Sequence, residues 1–176
     1  LQIKFLLIPA LLFGQACTAT NPTKMPDHSG TVLLNSIAHL NSNERRDRAE
    51  LTAFMNVDPV RTEWCAAFMN AVLEESNIPS LNTIGHKYPL TARAYLDWGT
   101  KVEYPLPGDL VIFPRGNQGW QGHVGIFLEV RIINDKEHFM ILGGNQDNSV
   151  SIKPYLASSA IDIRRWEDRW YNNGRL

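Results

Sequence analysis

The fold is decided by the stretch TEWCAAFMNAVLEESN, residues 62–77. Its apolar side chains recur at helical spacing and a proline follows at position 79, so the pattern predicts an amphipathic helix with Thr62 as its cap. Cys65 then lies in the first turn, where unpaired backbone N–H groups favour an anion and should lower the thiol pKa. This position suits a nucleophile. It also suits a small core residue, because free cysteine is among the most buried residue types.

Helical patterns precede this stretch, and strand patterns follow it. Apolar residues recur at helical spacing from residue 31 and over residues 44–55, and a shorter helix is predicted over residues 92–98. The later segments are short, rich in Val, Ile and Phe, and separated by turn residues, which predicts strands. These strands cover residues 110–113, 123–130, 139–143, 149–152 and 161–166. Helices followed by consecutive strands indicate an α+β fold with an antiparallel sheet.

Length and composition indicate one folded domain. The chain has 176 residues, of which 44% are apolar and 20% charged, so it can bury a core. The formal net charge is −1, which offers no uniform attraction for nucleic acid, and no nucleic-acid partner is expected. The two cysteines, Cys17 and Cys65, are too few for a disulfide scaffold or a four-cysteine zinc site. No pair of histidines has the spacing of metal ligands, so neither a metal nor another cofactor is expected.

Residues 1–19 have the pattern of a signal peptide. An almost unbroken apolar run over residues 5–13 follows a lysine and precedes small residues. The run is about half of the roughly 20 residues that a helix needs to span a bilayer, so we expect export to the periplasm or cell envelope. The residues before Cys17 resemble a lipoprotein cleavage site, which would make Cys17 the lipidated first residue and a membrane tether. Ordinary cleavage near Ala16 or Ala19 is the alternative.

The remaining chain divides into three parts. Residues 20–30 are rich in Thr, Pro, Asn, Asp and Ser and are predicted to be a linker. Residues 31–168 form the predicted domain, and residues 169–176 a solvated tail. The chain is expected to act as a monomer.

His123 is the candidate base for Cys65. It opens a predicted strand directly after a glycine-rich turn, where a side chain is placed to meet a ligand. The other four histidines lie in the linker, the first helix, a polar loop and a predicted hairpin, and we interpret them as solvated or structural.

A third polar residue is expected to hold the imidazole. If the chain turns at residues 134–135, antiparallel partners have residue numbers that add up to about 268 or 269. His123 then lies opposite Asn145 or Gln146. Cross-strand neighbours are roughly 4.5 to 5.5 Å apart at Cβ, so a side-chain amide there can hydrogen-bond the Nδ1 side of the imidazole. Asn145 is the preferred candidate and Gln146 and Asp147 are alternatives; a simple turn residue is the interpretation without a catalytic role.

Four short motifs follow one another along the chain. They are WCAAF (64–68), PGDLVIF (107–113), GHVG (122–125) and GGNQ (143–146). In this order they resemble the NlpC/P60 and CHAP-type cysteine peptidase superfamily, and more narrowly a branch of cell-wall hydrolase-like proteins of bacteria and phages. The resemblance covers about residues 49–166.

This resemblance implies a papain-like fold, in which the helix with the nucleophile packs on a small antiparallel sheet that bears the histidine. It implies an amidase or endopeptidase that cleaves an amide bond in peptidoglycan and therefore binds peptide stems. The family pattern assigns the nucleophile to Cys65, the base to His123 and the orienting polar residue to Asn145. An asparagine there is closer to the CHAP variant than to the commonest NlpC/P60 pattern, which has a second histidine.

Substrate contacts are predicted at three positions. Trp64 and Trp120 would line a groove for a peptide stem or sugar, and Arg115 would bind a carboxylate of the stem. For Trp64, at a helix start, a place in the core is the competing interpretation.

Two other classes of function stay open. One is a cell-wall-binding lipoprotein without catalysis, and the other is a cysteine acyl transferase or deamidase that acts on a protein through the same thioester chemistry. If the protein is a hydrolase, a transferase or a deamidase, Cys65 should have a low pKa and be alkylated quickly at neutral pH. If it is a binding module, alkylation should be slow.

Overall fold

The computed structural model describes residues 28–167. The predicted signal peptide, the lipidation site at Cys17 and the tail at residues 169–176 lie outside this range, as does most of the predicted linker. Within residues 28–167, the helices are too short and too polar to cross a bilayer.

Helices come first along the chain, and strands follow. The helices are α1 (Ser29–Ala38), α2 (Arg48–Met55), α3 (Cys65–Glu75) and a 3₁₀ helix (Ala92–Asp97). The strands are β1 (Thr100–Lys101), β2 (Leu110–Pro114), β3 (Gly122–Ile133), β4 (Lys136–Gly143), β5 (Ser151–Leu156) and β6 (Asp162–Arg165), with a short 3₁₀ helix (Ala157–Ser159) between the last two. They form one antiparallel sheet in the order β1-β6-β2-β3-β4-β5, so the fold is α+β.

The hairpin of β3 and β4 has the predicted turn. Residues 134–135 both have left-handed φ values, which Asn and Asp adopt more readily than most residues, and the strands pair on either side of them as expected. The ladder ends at the pair Ile126 and Leu142, before it reaches His123. The backbone beyond Leu142 is therefore free to leave the strand direction near the histidine.

Some boundaries differ from the predictions. α3 begins at Cys65 with Trp64 as its N-cap residue, not Thr62, and no side chain caps it. The Trp64 indole is fully buried and the Trp64 carbonyl accepts the Phe68 N–H at 2.9 Å, so packing fixes the start of the helix. α1 begins at the buried Ser29, inside the predicted linker. β1 was not predicted, because two residues carry no periodicity.

Two apolar clusters cover the two faces of the sheet. The larger cluster lies between the helices and the sheet and includes Trp64, Phe68 and Val124. The smaller cluster lies on the other face and is made of Val111, Phe113, Phe127, Phe139, Ile141 and Ile163, with Tyr155 packed against it. Because successive side chains of a strand alternate between faces, His123 projects toward Tyr155, opposite to its neighbour Val124.

The segment between α3 and the 3₁₀ helix is held by Asn70, a buried polar residue of α3. Its side-chain nitrogen donates to the Pro89 carbonyl at 2.8 Å, and its oxygen accepts the Tyr95 hydroxyl at 2.7 Å and the Leu81 N–H at 3.1 Å. Because a buried amide with unmade hydrogen bonds is costly, these bonds specify one position for the segment. The segment forms one wall of the cleft described below.

A buried ion pair joins β6 to the turn before β2. Asp109, of the PGDLVIF motif, is 2% exposed and accepts hydrogen bonds from Arg165 Nε at 2.8 Å and Nη2 at 2.7 Å. It also accepts the Leu106 N–H at 2.6 Å. Asp109 therefore has a structural role that the motif alone did not reveal.

Candidate active site

Cys65 is the first residue of α3 and is 4% exposed. Burial raises the pKa of the thiol above its ordinary value, because the charged thiolate would lose its hydration. The backbone N–H groups of Val124 and Ala66 and the charge of Arg115 lower the pKa, but by less. The predicted lowering of the Cys65 pKa is therefore wrong: this helix start is covered by packed structure.

The high pKa changes the meaning of thiol reactivity. Slow alkylation of Cys65 at neutral pH is now expected of the resting protein whether or not it is an enzyme. Alkylation rates alone therefore do not separate a hydrolase from a binding module.

His123 is the second residue of β3 and is 1% exposed. Its ring stacks on Tyr155, with ring centroids 5.3 Å apart and an interplanar angle of 10°. Burial, together with the positive charges of Arg115 and Lys153, lowers the pKa of His123 to about 4. The imidazole is thus neutral at neutral pH. Val124, whose N–H acts on the Cys65 sulfur, directly follows His123, so both groups lie at the same end of β3.

Gln146 determines which nitrogen of His123 carries the proton. The Gln146 side-chain nitrogen donates to the carbonyl of Ser151 at 2.5 Å and those of Gly143 and Ile141 at 3.3 Å, so its oxygen must be the atom that faces the ring. That oxygen lies 3.3 Å from His123 Nε2. Since an amide oxygen only accepts, Nε2 is the donor and Nδ1 carries the lone pair. Nδ1 is buried and has no hydrogen-bond partner among residues 28–167.

Asn145 does not make the predicted contact with the imidazole. Its side-chain nitrogen donates to Glu63 Oε2 at 2.6 Å, and its carbonyl accepts Arg115 Nη2 at 3.0 Å. The reason is the backbone: Asn145 has a left-handed φ of 56°, beyond the end of the β3–β4 ladder, and so does not continue the strand alternation. The ring is held at Nε2 by the alternative candidate, Gln146, and not at Nδ1. The other alternative, Asp147, pairs with Lys153.

Two glycines allow the turn at residues 143–148 to lie close to α3 and to His123. A Cβ on Gly144 would lie 2.6 Å from the Trp64 ring and 2.7 Å from Phe68 Cβ, so only glycine allows the turn to approach α3 this closely. A Cβ on Gly143 would lie 3.3 Å from His123 Nε2. The missing side chain leaves room for the imidazole and for its bond to Gln146.

A cleft of about 320 Å³ opens beside Cys65. Its lining residues are Glu63, Cys65, Leu90, Thr91, Ala92, Arg115, Gly116, Trp120, Gln121, Gly122, Asn145 and Asn148. Two of the predicted substrate contacts, Arg115 and Trp120, line it, and Trp120 is 67% exposed. Trp64 does not: it is fully buried and donates to Glu44 at 3.3 Å, so it belongs to the core. His123 is not among the residues that line the cleft.

Two site residues had no sequence signal of their own. Glu63 lies at the cleft, bound to Asn145 and paired with Arg115, but in the sequence it is an ordinary charged residue at a helix start. Tyr155 of β5 stacks on His123 and packs against the smaller apolar cluster as a partly buried side chain, which no motif in the sequence indicated. Within the described part of the chain, His, Cys, Asp and Glu form no group of three or more that would hold a metal ion.

A family model, CHAP domain, matches residues 57–145. The chain therefore belongs to the CHAP domain family, a cysteine peptidase and amidase group related to NlpC/P60. CHAP domains are hydrolases that act on peptidoglycan. The match includes Cys65, His123 and Asn145 and ends one residue before Gln146. No curated protein matches the chain.

Proposed function

We propose that the protein hydrolyses an amide bond in the peptide stems of peptidoglycan, with Cys65 as nucleophile and His123 as base. The observation that carries the proposal is the fixed tautomer of His123. Its unprotonated Nδ1 is buried without a partner in the described chain, and the next residue of β3, Val124, has its N–H at the Cys65 sulfur. We assign the family's papain-like arrangement to this helix and sheet on the same basis.

In the proposed reaction the resting pair is neutral. As the Cys65 sulfur attacks the amide carbon, the thiol proton passes to His123 Nδ1, and the carbonyl oxygen becomes an oxyanion. The Cys65 backbone N–H at the start of α3 is the proposed donor for that oxyanion, and such a donor contributes about 2.7 to 4 kcal/mol to the transition state. The Nδ1 proton then goes to the leaving amine as the carbon–nitrogen bond breaks. Water, deprotonated by His123, hydrolyses the thioester.

Gln146, and not Asn145, is the positioning residue in this proposal. While His123 is an imidazolium, its Nε2–H stays bonded to the Gln146 oxygen, which keeps the ring in one orientation. Asn145 instead links Glu63 and Arg115 in the cleft. The assignment of each role is a proposal that mutagenesis can separate.

We further propose that the protein acts as a monomer outside the cytoplasm, either free or tethered through a lipid on Cys17. The signal-peptide pattern of residues 1–19 supports this location, which is also where peptidoglycan is found.

The test is the release of fragments from purified peptidoglycan, analysed by mass spectrometry. We expect the unmodified chain to release soluble fragments whose masses identify the bond, and Cys65→Ala to release none. Gln146→Ala should release far fewer fragments than the parent. Asp97→Asn, which changes an exposed side chain on the 3₁₀ helix, is the control and should release about as many as the parent. Equal release by the parent and Cys65→Ala would refute the thiol mechanism.

One observation favours a second candidate, a wall-binding protein without catalysis. The Cys65 pKa is raised and the His123 pKa is lowered, so the resting protein contains no thiolate–imidazolium pair. This candidate predicts that the parent and Cys65→Ala bind peptidoglycan equally and that neither releases fragments from any wall type.

A further inference from the structure

A cation and an anion face each other in the cleft next to Cys65. Arg115 Nη1 lies 3.6 Å from Glu63 Oε2. Arg115 Nη2 donates to the Asn145 carbonyl at 3.0 Å, and the Asn145 side chain donates to the same Glu63 oxygen at 2.6 Å. The three residues form a small network that lines the cleft.

This ion pair is loose. Its 3.6 Å separation is longer than a good hydrogen bond, and the Glu63 and Arg115 side chains are 84% and 41% exposed. Exposed pairs of this kind contribute little because water and salt screen them. Arg115 is thus positioned through Nη2 while its Nη1 lacks a close anion. The guanidinium can accept a better carboxylate partner from a bound molecule.

We propose that Arg115 is the specificity site for a carboxylate of the substrate, and that Glu63 occupies it until the substrate displaces it. The cleft would then select wall peptides that carry a free carboxylate near the scissile amide over peptides with a carboxamide there. The proposal rests on the proposed function for the identity of the substrate. To the carboxylate contact predicted for Arg115 it adds Glu63 as the competing anion and selection against a carboxamide.

Two physical arguments support this selectivity. A guanidinium binds a carboxylate with two parallel N–H donors, whereas a carboxamide offers one oxygen and would turn its own N–H groups toward the cation. Arg115 and Cys65 also line the same cleft, so a peptide bound to the guanidinium has its neighbouring amides beside the thiol. The ion pair between Glu63 and Arg115 can break at little cost because most of the Glu63 side chain is already in water.

The test compares synthetic stem peptides that differ only by a carboxylate or a carboxamide at one position. Binding is measured on the Cys65→Ala protein by the change in Trp fluorescence, since Trp120 lines the cleft. We expect the carboxylate peptide to bind at least tenfold more tightly, a ratio that falls as salt is added. In Arg115→Gln the ratio should fall to about one, and in Glu63→Gln it should rise several-fold, because the competing anion is gone.

The matched controls are Arg131→Gln and Glu129→Gln. These residues form an exposed ion pair on β3 outside the cleft, so they change the net charge equally and should keep the parent ratio. A ratio near one in the parent, no binding of either peptide, or a lower ratio in Glu63→Gln would overturn the proposal.

Hydrolysis by the unmodified protein separates this proposal from the proposed function. Selective binding without hydrolysis would support the carboxylate site at Arg115 and refute the proposal that the protein is a hydrolase. Hydrolysis of both peptides with equal kcat/KM would refute the carboxylate site and leave the hydrolase standing.

Discussion

Gln146 gives His123 a neutral hydrogen-bond acceptor, where a carboxylate would add negative charge. The amide fixes the tautomer of the ring but raises its pKa less than burial lowers it, so the pKa stays at about 4. His123 is therefore a weak base in the resting protein, and the buried Cys65 is a weak acid. We expect the proton to move during the attack on the substrate and not before it.

Burial of a neutral His123 also makes folding depend on pH. The folded pKa of about 4 lies below the ordinary value of 6.5, so between these values the unfolded chain binds more protons. The free energy of unfolding should therefore fall as the pH falls from about 6.5 to about 4. This group accounts for a loss of roughly 3 kcal/mol, measurable by urea unfolding at a series of pH values.

His123→Gln is the control for this pH dependence, because it removes the titrating group and keeps a polar side chain. We expect its unfolding free energy to change less than that of the parent over the same pH range. Asp47 and Asp58, whose pKa values are lowered by their arginine partners, are present in both proteins, so their contribution cancels in the comparison. Parallel curves for the two proteins would contradict the assignment.

At the scale of elements, the site depends on how closely the turn at residues 143–148 approaches α3. The turn carries Gln146 to the imidazole and Asn145 to the cleft, and its place is set by contact with the start of the helix. The start of α3, which bears Cys65, and the residue that holds the His123 ring are therefore coupled through backbone packing.

Gly144→Ala tests this coupling. The added Cβ would lie within 2.8 Å of Trp64 and Phe68 atoms, so the turn must shift, at a cost of about 1 to 3 kcal/mol in unfolding free energy. Because Gln146 moves with the turn, hydrolytic activity should fall as well. Gly119→Ala is the matched control, since nothing lies within 4 Å of its added Cβ. Equal effects in urea unfolding and in activity would contradict the prediction.

The hairpin also shows what sequence arithmetic can and cannot predict. Alternation and the Asn-Asp turn predicted the register of β3 and β4 to within one residue, and an irregularity between Phe127 and Glu129 changes the sum of the paired residue numbers from 269 to 268. The same arithmetic failed beyond Leu142, where left-handed φ values at Asn145, Asp147 and Asn148 end the regular repeat. The choice between Asn145 and Gln146 depends on those dihedral angles, which no periodic pattern contains.

At the scale of the whole molecule, one sheet separates two apolar clusters and belongs to both. The buried tryptophans Trp64, Trp98 and Trp166 all belong to the cluster on the helix side. If the sheet couples the clusters, damage on the other face should appear in the fluorescence of these tryptophans.

Ile141→Ala provides that test. Ile141 is fully buried in the smaller cluster, so its truncation should lower the free energy of unfolding by about 2 to 5 kcal/mol. Tryptophan fluorescence and far-UV circular dichroism should shift to the same lower urea midpoint. Ile132→Ala makes the same truncation at a side chain that is 66% exposed and should change the midpoint little. Separate midpoints for the two signals would show that the clusters unfold independently.

The order of helices and strands could be predicted from the sequence because each element has its own periodicity. The burial of Cys65 and Trp64 could not be predicted, because it depends on contacts between segments that are far apart in the chain. Cys65 lies between Trp64 and Phe68, which the turn at residues 143–148 contacts, and Trp64 is buried against Glu44 and Gly144. Because of this burial, the Cys65 thiol has a raised pKa where a lowered one was predicted, and Trp64 lies in the core where a place in the cleft was predicted.

The neutral, buried thiol also affects how fast Cys65 is oxidised in air. Peroxide oxidises the thiolate to sulfenic acid far more readily than it oxidises the thiol, and it needs access to the sulfur. Cys65 offers little thiolate and 4% exposure, and residues 28–167 contain no second cysteine with which it would form a disulfide. We therefore expect Cys65 to stay reduced in aerated medium without a reductant, which would suit the proposed site of action outside the cytoplasm.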